Sequence, residues 1–188
     1  MFSKIILASG SPRRKQLLEW ADISFDVIVS DADETVPEGM KMEEVAVYIA
    51  KQKAHAVLPN AKGLPILAAD TIVVCNGQLL GKPIDRDDAI SMISFLSGKE
   101  HVVITGVVIC WDGKMYSFFD ETRVWFNELT KEEIIFYVDR YAPFDKAGGY
   151  AIQEWIGVVG IKKIEGDFYN VMGLPISRVY RALEQLAG

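Results

Sequence analysis

The chain has 188 residues, 50% of them hydrophobic and 24% charged, a composition that builds a packed core and excludes a disordered or low-complexity chain. Twenty Lys and Arg stand against 26 Asp and Glu, a net charge of −6. That balance argues against a track along nucleic acid or an anionic membrane, where neutralised phosphates supply most of the affinity. Any anionic ligand is therefore expected to be small and held locally.

The length suits one substantial domain or two small lobes. Cys75 and Cys110 end apolar runs without a CxxC partner, which reads as buried thiols in a reducing cytoplasm. The start, MFSKIILASGSPRRK, has its basic residues after the apolar run and does not resemble a secretory signal. No stretch reaches transmembrane length.

In chain order, residues 4–9 (KIILAS) predict a buried strand, then a Gly-Ser-Pro turn and the helix RRKQLLEWA. A strand over 24–30 leads into the acidic loop DADETVPEG. Met42 to Leu58 is rich in helix formers and stops at Pro59. LPILAADTIVVC meets Asn76-Gly77, a hairpin signal, and returns through QLLGKP. Asp85, Asp87 and Asp88 open a helix over about 86–97 that Gly98 closes. HVVITGVVICW and KMYSFFDETRVWF flank a second hairpin pair, Asp112-Gly113. Thr130 and Glu133 form a capping box for EEIIFYVDRY, and a last helix runs from Pro175 to about Leu186. With no repeat and no linker, the pattern predicts mixed α/β (α+β), a long twisted sheet with a cleft.

Four features resist a purely structural account. In the turn Ser9-Gly10-Ser11-Pro12, Ser11 suits a helix N-cap and Pro12 the first helical position. Arg13, Arg14 and Lys15 do not suit that first turn, where the dipole disfavours cations. A bound anion would reverse the penalty; a solvated basic turn is the plain alternative. At about 100° per residue, Lys53 falls in the apolar arc of its helix, among Val45, Ala46, Ile49, Ala50, Ala54 and Val57. It must either snorkel to an edge or meet a buried anion.

Asp70 interrupts an apolar strand, at a cost unless it is paired, hydrogen-bonded or metal-bound; Thr71 beside it points to the opposite face of a regular strand. Lys82, after the hairpin, can return near Asp70 if the strands pair, or is an ordinary turn lysine. Finally, in DKAGGYAIQ the paired glycines permit close backbone approach, and Gln153 offers the donor and acceptor that read a base edge. Asp31, Asp33 and Glu34 by themselves read as a solvated loop. His55 and His101 have no metal-ligand spacing, and GxSxG, Walker A and GxGxxG patterns are absent. Cations, hydroxyls, hard carboxylates and an amide together point to phosphoryl chemistry on a nucleoside triphosphate.

ASGSPRRKQLL, AADTIVV, LGKP, LSGKEHVVITGV, DKAGGYAIQ and FYNVMGLPIS, in this order, resemble the Maf family of nucleotide pyrophosphatases, over Leu7 to Leu186. The resemblance implies one domain over residues 1–188. It implies an elongated mixed sheet with flanking helices and two lobes around a cleft, like inosine triphosphate pyrophosphatases. It also implies cleavage of nucleoside triphosphates to monophosphate and pyrophosphate with Mg²⁺ or Mn²⁺. By resemblance, Ser9, Ser11, Arg13, Arg14, Lys53, Thr71, Lys82 and Gln153 hold substrate. Glu34 and Asp70 bind metal, and Asp70 accepts the proton of the attacking water. Arg13, Thr71 and Gln153 resemble the branch acting on dTTP and UTP, although Glu154-Trp155 follows Gln153 where small or basic residues are commoner. A pyrophosphatase acting on 7-methylguanosine triphosphate or a modified nucleotide, and a nucleotide-binding regulator of cell division, are the alternatives. The expected partner is a nucleotide, with neither nucleic acid nor membrane, and a homodimer is left open.

Overall fold

The apolar run after Lys4 becomes β1 (Ile5–Leu7), buried along its length. The computed structural model describes residues 4–32, 34–37 and 39–187; Asp33 of the acidic loop lies outside them. α1 (Pro12–Trp20) begins as its signals require, with the Ser11 hydroxyl accepting the Arg14 N–H and Pro12 in the first turn. β2 (Phe25–Val27) is shorter than its apolar flanks predict. α2 (Met42–Val57) runs into a 3-10 turn, Leu58–Asn60, containing Pro59.

β3 (Ile66–Cys75) and β4 (Gln78–Leu80) form the first hairpin, with Asn76 at φ 51° and Gly77 at φ 76°. α3 (Arg86–Leu96) follows, its N-cap Asp85 side chain accepting the Asp88 N–H at 2.8 Å. β5 (Glu100–Trp111) and β6 (Lys114–Phe126) form the second hairpin, with Asp112 at φ 49° and Gly113 at φ 69°. Positive φ at both central residues is the turn geometry that suits a twisted hairpin. α4 (Lys131–Tyr141) carries the complete capping box of Thr130 and Glu133.

Three elements between residues 155 and 172 go beyond what the sequence pattern predicts: α5 (Trp155–Gly160), β7 (Ile161–Glu165) and α6 (Phe168–Met172). They are too short to show a period, and Gly157 and Gly160 argue locally against a helix. α7 (Ile176–Ala187) starts one residue after Pro175.

The sheet is mixed, in the order β2-β1-β3-β5-β6-β7 with β4 on β3. β1 is parallel to β2 and β3, whereas β4 and β7 are antiparallel to β3 and β6. With the flanking helices this is the expected mixed α/β architecture. No helix among the described residues is long and apolar enough to cross a membrane.

The chain divides into two compact units, each assembled from separate segments. The first comprises Met1–Thr71, Thr105–Asp120 and Gly173–Gly188. Its core joins Ile6, Ala8, Ile66, Ala68 and Val108 to the Ala50, Ala54 and Val57 face of α2. The many alanines let the helix approach closely. Gly106 sets the limit: a Cβ there would lie 2.2 Å from the Ala46 carbonyl carbon, so even Ala would push α2 off the sheet.

The second unit comprises Ile72–Ile104 and Glu121–Met172. Its core gathers Val73, Leu80, Ile93, Leu96, Val124, Phe126, Ile134 and Ile156. His101 is buried within it, edge-on to Phe126 and Tyr150, with Nε2 2.7 Å from the Tyr150 hydroxyl and no hydrogen-bond partner at Nδ1. Burial pushes the His101 pKa down to about 4 from 6.5 and pushes the Tyr150 phenol up.

The folded state thus holds His101 neutral while the unfolded state protonates it first. The resulting stability is complete above the unfolded value and is lost as pH falls through the folded one, a change of about 3 kcal/mol. Thermal melts from about pH 7 to pH 4 should show wild type losing stability faster than His101→Gln. Parallel curves would contradict the assignment.

Candidate active site

Two parallel strands deliver the first group of side chains. β1 and β3 run side by side in the register Leu7↔Leu67, and the Ala8 N–H donates to the Leu67 carbonyl at 2.8 Å. The turn Ser9-Gly10-Ser11 therefore leaves β1 at its carboxyl end, alongside the middle of β3, where Asp70 and Thr71 lie. In open α/β sheets this is where ligands bind.

Arg14 organises this end of the first unit. It is 7% exposed, and its guanidinium donates from Nε to the Gly173 carbonyl at 2.8 Å, from one terminal nitrogen to Ser9 Oγ at 3.0 Å and from the other to Thr71 Oγ1 at 3.0 Å. Each of these acceptors is neutral. Burial lowers the Arg14 pKa; the charges of Asp70 and Glu34 oppose that shift, and Arg13 adds to it. Two of the five guanidinium N–H groups make no hydrogen bond to a described residue. Thr71 Oγ1 also lies 2.9 Å from Thr105 Oγ1 and donates to the Gly173 carbonyl at 3.3 Å, while Ser9 Oγ accepts the Ser11 N–H at 3.2 Å.

Lys53 resolves the choice left by its helical position: it meets anions. Its Nζ lies 2.6 Å from Asp70 Oδ1 and 2.9 Å from Glu34 Oε1. The side chains of Lys53 and Asp70 are each 13% exposed, whereas that of Glu34 is 51% exposed. Asp70 Oδ2 has no partner among the described residues. The close seating of α2 at Gly106, two helical turns before Lys53, supports this reach. Ser9, Ser11, Arg13, Arg14, Glu34, Lys53, Asp70 and Thr71 thus fall in one unit, most of them directly linked. The carboxylates of Glu34 and Asp70 are the hard oxygen donors there; no group of three or more His, Cys, Asp or Glu suited to a metal occurs among the described residues.

Lys82 and Gln153 belong to the second unit. Both are exposed, with no ion pair or hydrogen bond to any described residue. The loop before Gln153 contains a 3-10 turn, Ala147–Gly149, with Gly148 at φ 71°. A Cβ at Gly148 would meet Val73 at 3.0 Å, and its N–H donates to the Gly81 carbonyl at 3.0 Å, next to Lys82.

Sequence reasoning missed Thr105 and Gly173, which complete the polar cluster around Arg14. Thr105 carries a visible signal, a hydroxyl inside the apolar run VVITGVV. The Gly173 contribution is a carbonyl, which any residue type supplies.

The family model described as Maf-like protein matches residues 4–186, and the chain belongs to that family. A protein of Cytophaga hutchinsonii named dTTP/UTP pyrophosphatase is 50% identical over 97% of this chain and 84% of its own length. Proteins of the same name from Parabacteroides distasonis and Bacillus cereus are each 48% identical, covering 96% and 97% of this chain and 95% of their own. The solved structure of the Staphylococcus aureus Ham1 protein aligns with a TM-score of 0.43 at 16% identity, over 66% of this chain and 72% of that one.

Replacing Arg14 by Met should destabilise the protein by about 2–4 kcal/mol in urea unfolding, because three hydrogen bonds to a buried charged group vanish together. A change below about 0.5 kcal/mol would show that the guanidinium does not organise this end of the sheet.

Proposed function

We propose that this chain hydrolyses dTTP and UTP to the nucleoside monophosphate and pyrophosphate, with residues 1–188 acting as one nucleotide pyrophosphatase domain. The observation that carries the reading is the Lys53–Asp70 pair at 2.6 Å, joined by Glu34 and lying within the field of Arg14. The names borne by relatives about 50% identical over nearly the whole chain supply the substrates.

In this reading Asp70 accepts the proton of the water that attacks the α-phosphate. Lys53 engages Oδ1 and so fixes the carboxylate plane, leaving Oδ2 to face the water. Arg13 and Lys82 bind the triphosphate. Arg14 adds positive potential and holds Ser9 and Thr71 in place, so that their hydroxyls and that of Ser11 are set in advance for phosphate oxygens. Arg13, Thr71 and Gln153 select the nucleotide. A Gln amide presents a donor to the O4 of uracil or thymine and an acceptor to its N3–H.

Glu34 and Asp70 would hold a hard divalent ion such as Mg²⁺ or Mn²⁺ beside the Lys53 ammonium that contacts Oε1 and Oδ1, with water and substrate phosphates completing its shell. When bound, the ion supplies charge neutralisation at the phosphate oxygens. We place the enzyme in the cytoplasm, where its free, buried Cys75 and Cys110 stay reduced.

The test is pyrophosphate release from dTTP, UTP, CTP and 7-methylguanosine triphosphate at matched concentration, with and without Mg²⁺. The wild type should prefer dTTP and UTP. Asp70→Asn should lose about 10²- to 10⁴-fold in kcat with an unchanged circular dichroism spectrum. Near-wild-type turnover by Asp70→Asn would end its role as proton acceptor, and inactivity on dTTP and UTP would end the proposal.

A further inference from the structure

Gln153 is an odd residue to trust with base selection. Its side chain is exposed and bonded to nothing described, so any accuracy in its placement must come from the backbone beneath it. That backbone is held on both sides. Before it, the Ala151 N–H donates to the Tyr137 hydroxyl at 3.2 Å. After it, Glu154 turns its carboxylate inward rather than capping α5. Glu154 Oε2 accepts the Tyr137 hydroxyl proton in a short hydrogen bond, and Oε1 lies 3.5 Å from Lys146 Nζ.

Tyr137 is fully buried and Lys146 is 7% exposed. Lys146 also pairs with Asp145 at 2.7 Å. The buried ammonium therefore has two carboxylates, and the buried phenol both donates and accepts. One hydroxyl thus bonds the residue two before Gln153 and the residue immediately after it. The same loop donates from Gly148 to the Gly81 carbonyl, so it also supports the segment bearing Lys82.

We propose that Tyr137, Glu154 and Lys146 form a positioning network that sets Gln153 for recognition of the pyrimidine edge. The inference rests on the reading that Gln153 contacts the base. Uracil and cytosine differ there by exchanged donors and acceptors. A displaced amide therefore costs discrimination before it costs phosphate chemistry. The aromatic rings keep packing without the hydroxyl: Tyr137 stacks on Tyr141 at 5.0 Å, and Phe136 meets Trp155 edge-on at 5.0 Å. Tyr137→Phe should therefore fold.

The experiment compares wild type, Tyr137→Phe, Glu154→Ala, Glu154→Gln and Gln153→Ala on UTP, CTP and ribose 5-triphosphate, a substrate without a base. Gln153→Ala should lower the UTP-over-CTP preference in kcat/KM. Tyr137→Phe and Glu154→Ala should lower it by about tenfold, mainly through a higher KM for UTP, with ribose 5-triphosphate hydrolysis unchanged. Glu154→Gln, which can still accept the phenol proton, should recover part of the preference. If Gln153→Ala lowers the preference while Tyr137→Phe and Glu154→Ala keep it, the network is overturned and the role of Gln153 stands. If Gln153→Ala keeps the preference, the reading of Gln153 falls and takes the network with it. Equal losses on all three substrates would mark the network as structural only, and would also overturn the proposal.

Discussion

A lysine on the buried face of a helix must reach solvent or meet a negative charge, and much of the first unit is arranged around the second of these. Lys53 lies on the face of α2 that packs against an alanine-lined sheet, and Asp70 on β3 meets it at 2.6 Å. Neither group could be buried alone without a penalty of several kcal/mol, so each position depends on the other. The close approach of α2 at Gly106, the run of small side chains and the break in the apolar pattern of β3 all belong to this pairing. Glu34 joins from a loop and is half exposed, which leaves one side of the cluster accessible to solvent.

Arg14 shows a second solution to the same problem. Its guanidinium is buried against a carbonyl and two hydroxyls instead of a carboxylate, which leaves its charge uncompensated by direct contact. Asp70 and Glu34 lie near enough for their charges to oppose the effect of burial on that cation. The second unit repeats the theme with Lys146 between Asp145 and Glu154, where the charge serves to hold a loop. An acidic protein can in this way maintain small cationic sites without a basic surface.

The elements with local signatures were readable from residues alone. Ser11-Pro12, Asp85, the Thr130–Glu133 box, Asn76-Gly77 and Asp112-Gly113 each act within a few residues, and each forms where expected. Lys53 and Asp70 were legible as anomalies because a charge inside an apolar pattern is costly wherever the chain goes. Their partnership was not legible, because it depends on how α2 and β3 meet. Thr105, the Gly173 carbonyl and the Tyr137–Glu154 bond escaped for the same reason: long-range contacts leave no spacing to read. α5, β7 and α6 are held by tertiary packing and have too few residues for a period.

If Lys53 holds the Asp70 carboxylate for proton transfer, as proposed above, the two act as one unit in turnover. A double-mutant cycle tests it most directly: kcat/KM for UTP measured for Lys53→Met, Asp70→Asn and the double variant. The double variant should be no worse than the poorer single one, to within about threefold, since either change already disables the pair. Losses that multiply would show two residues acting independently and would refute the coupling.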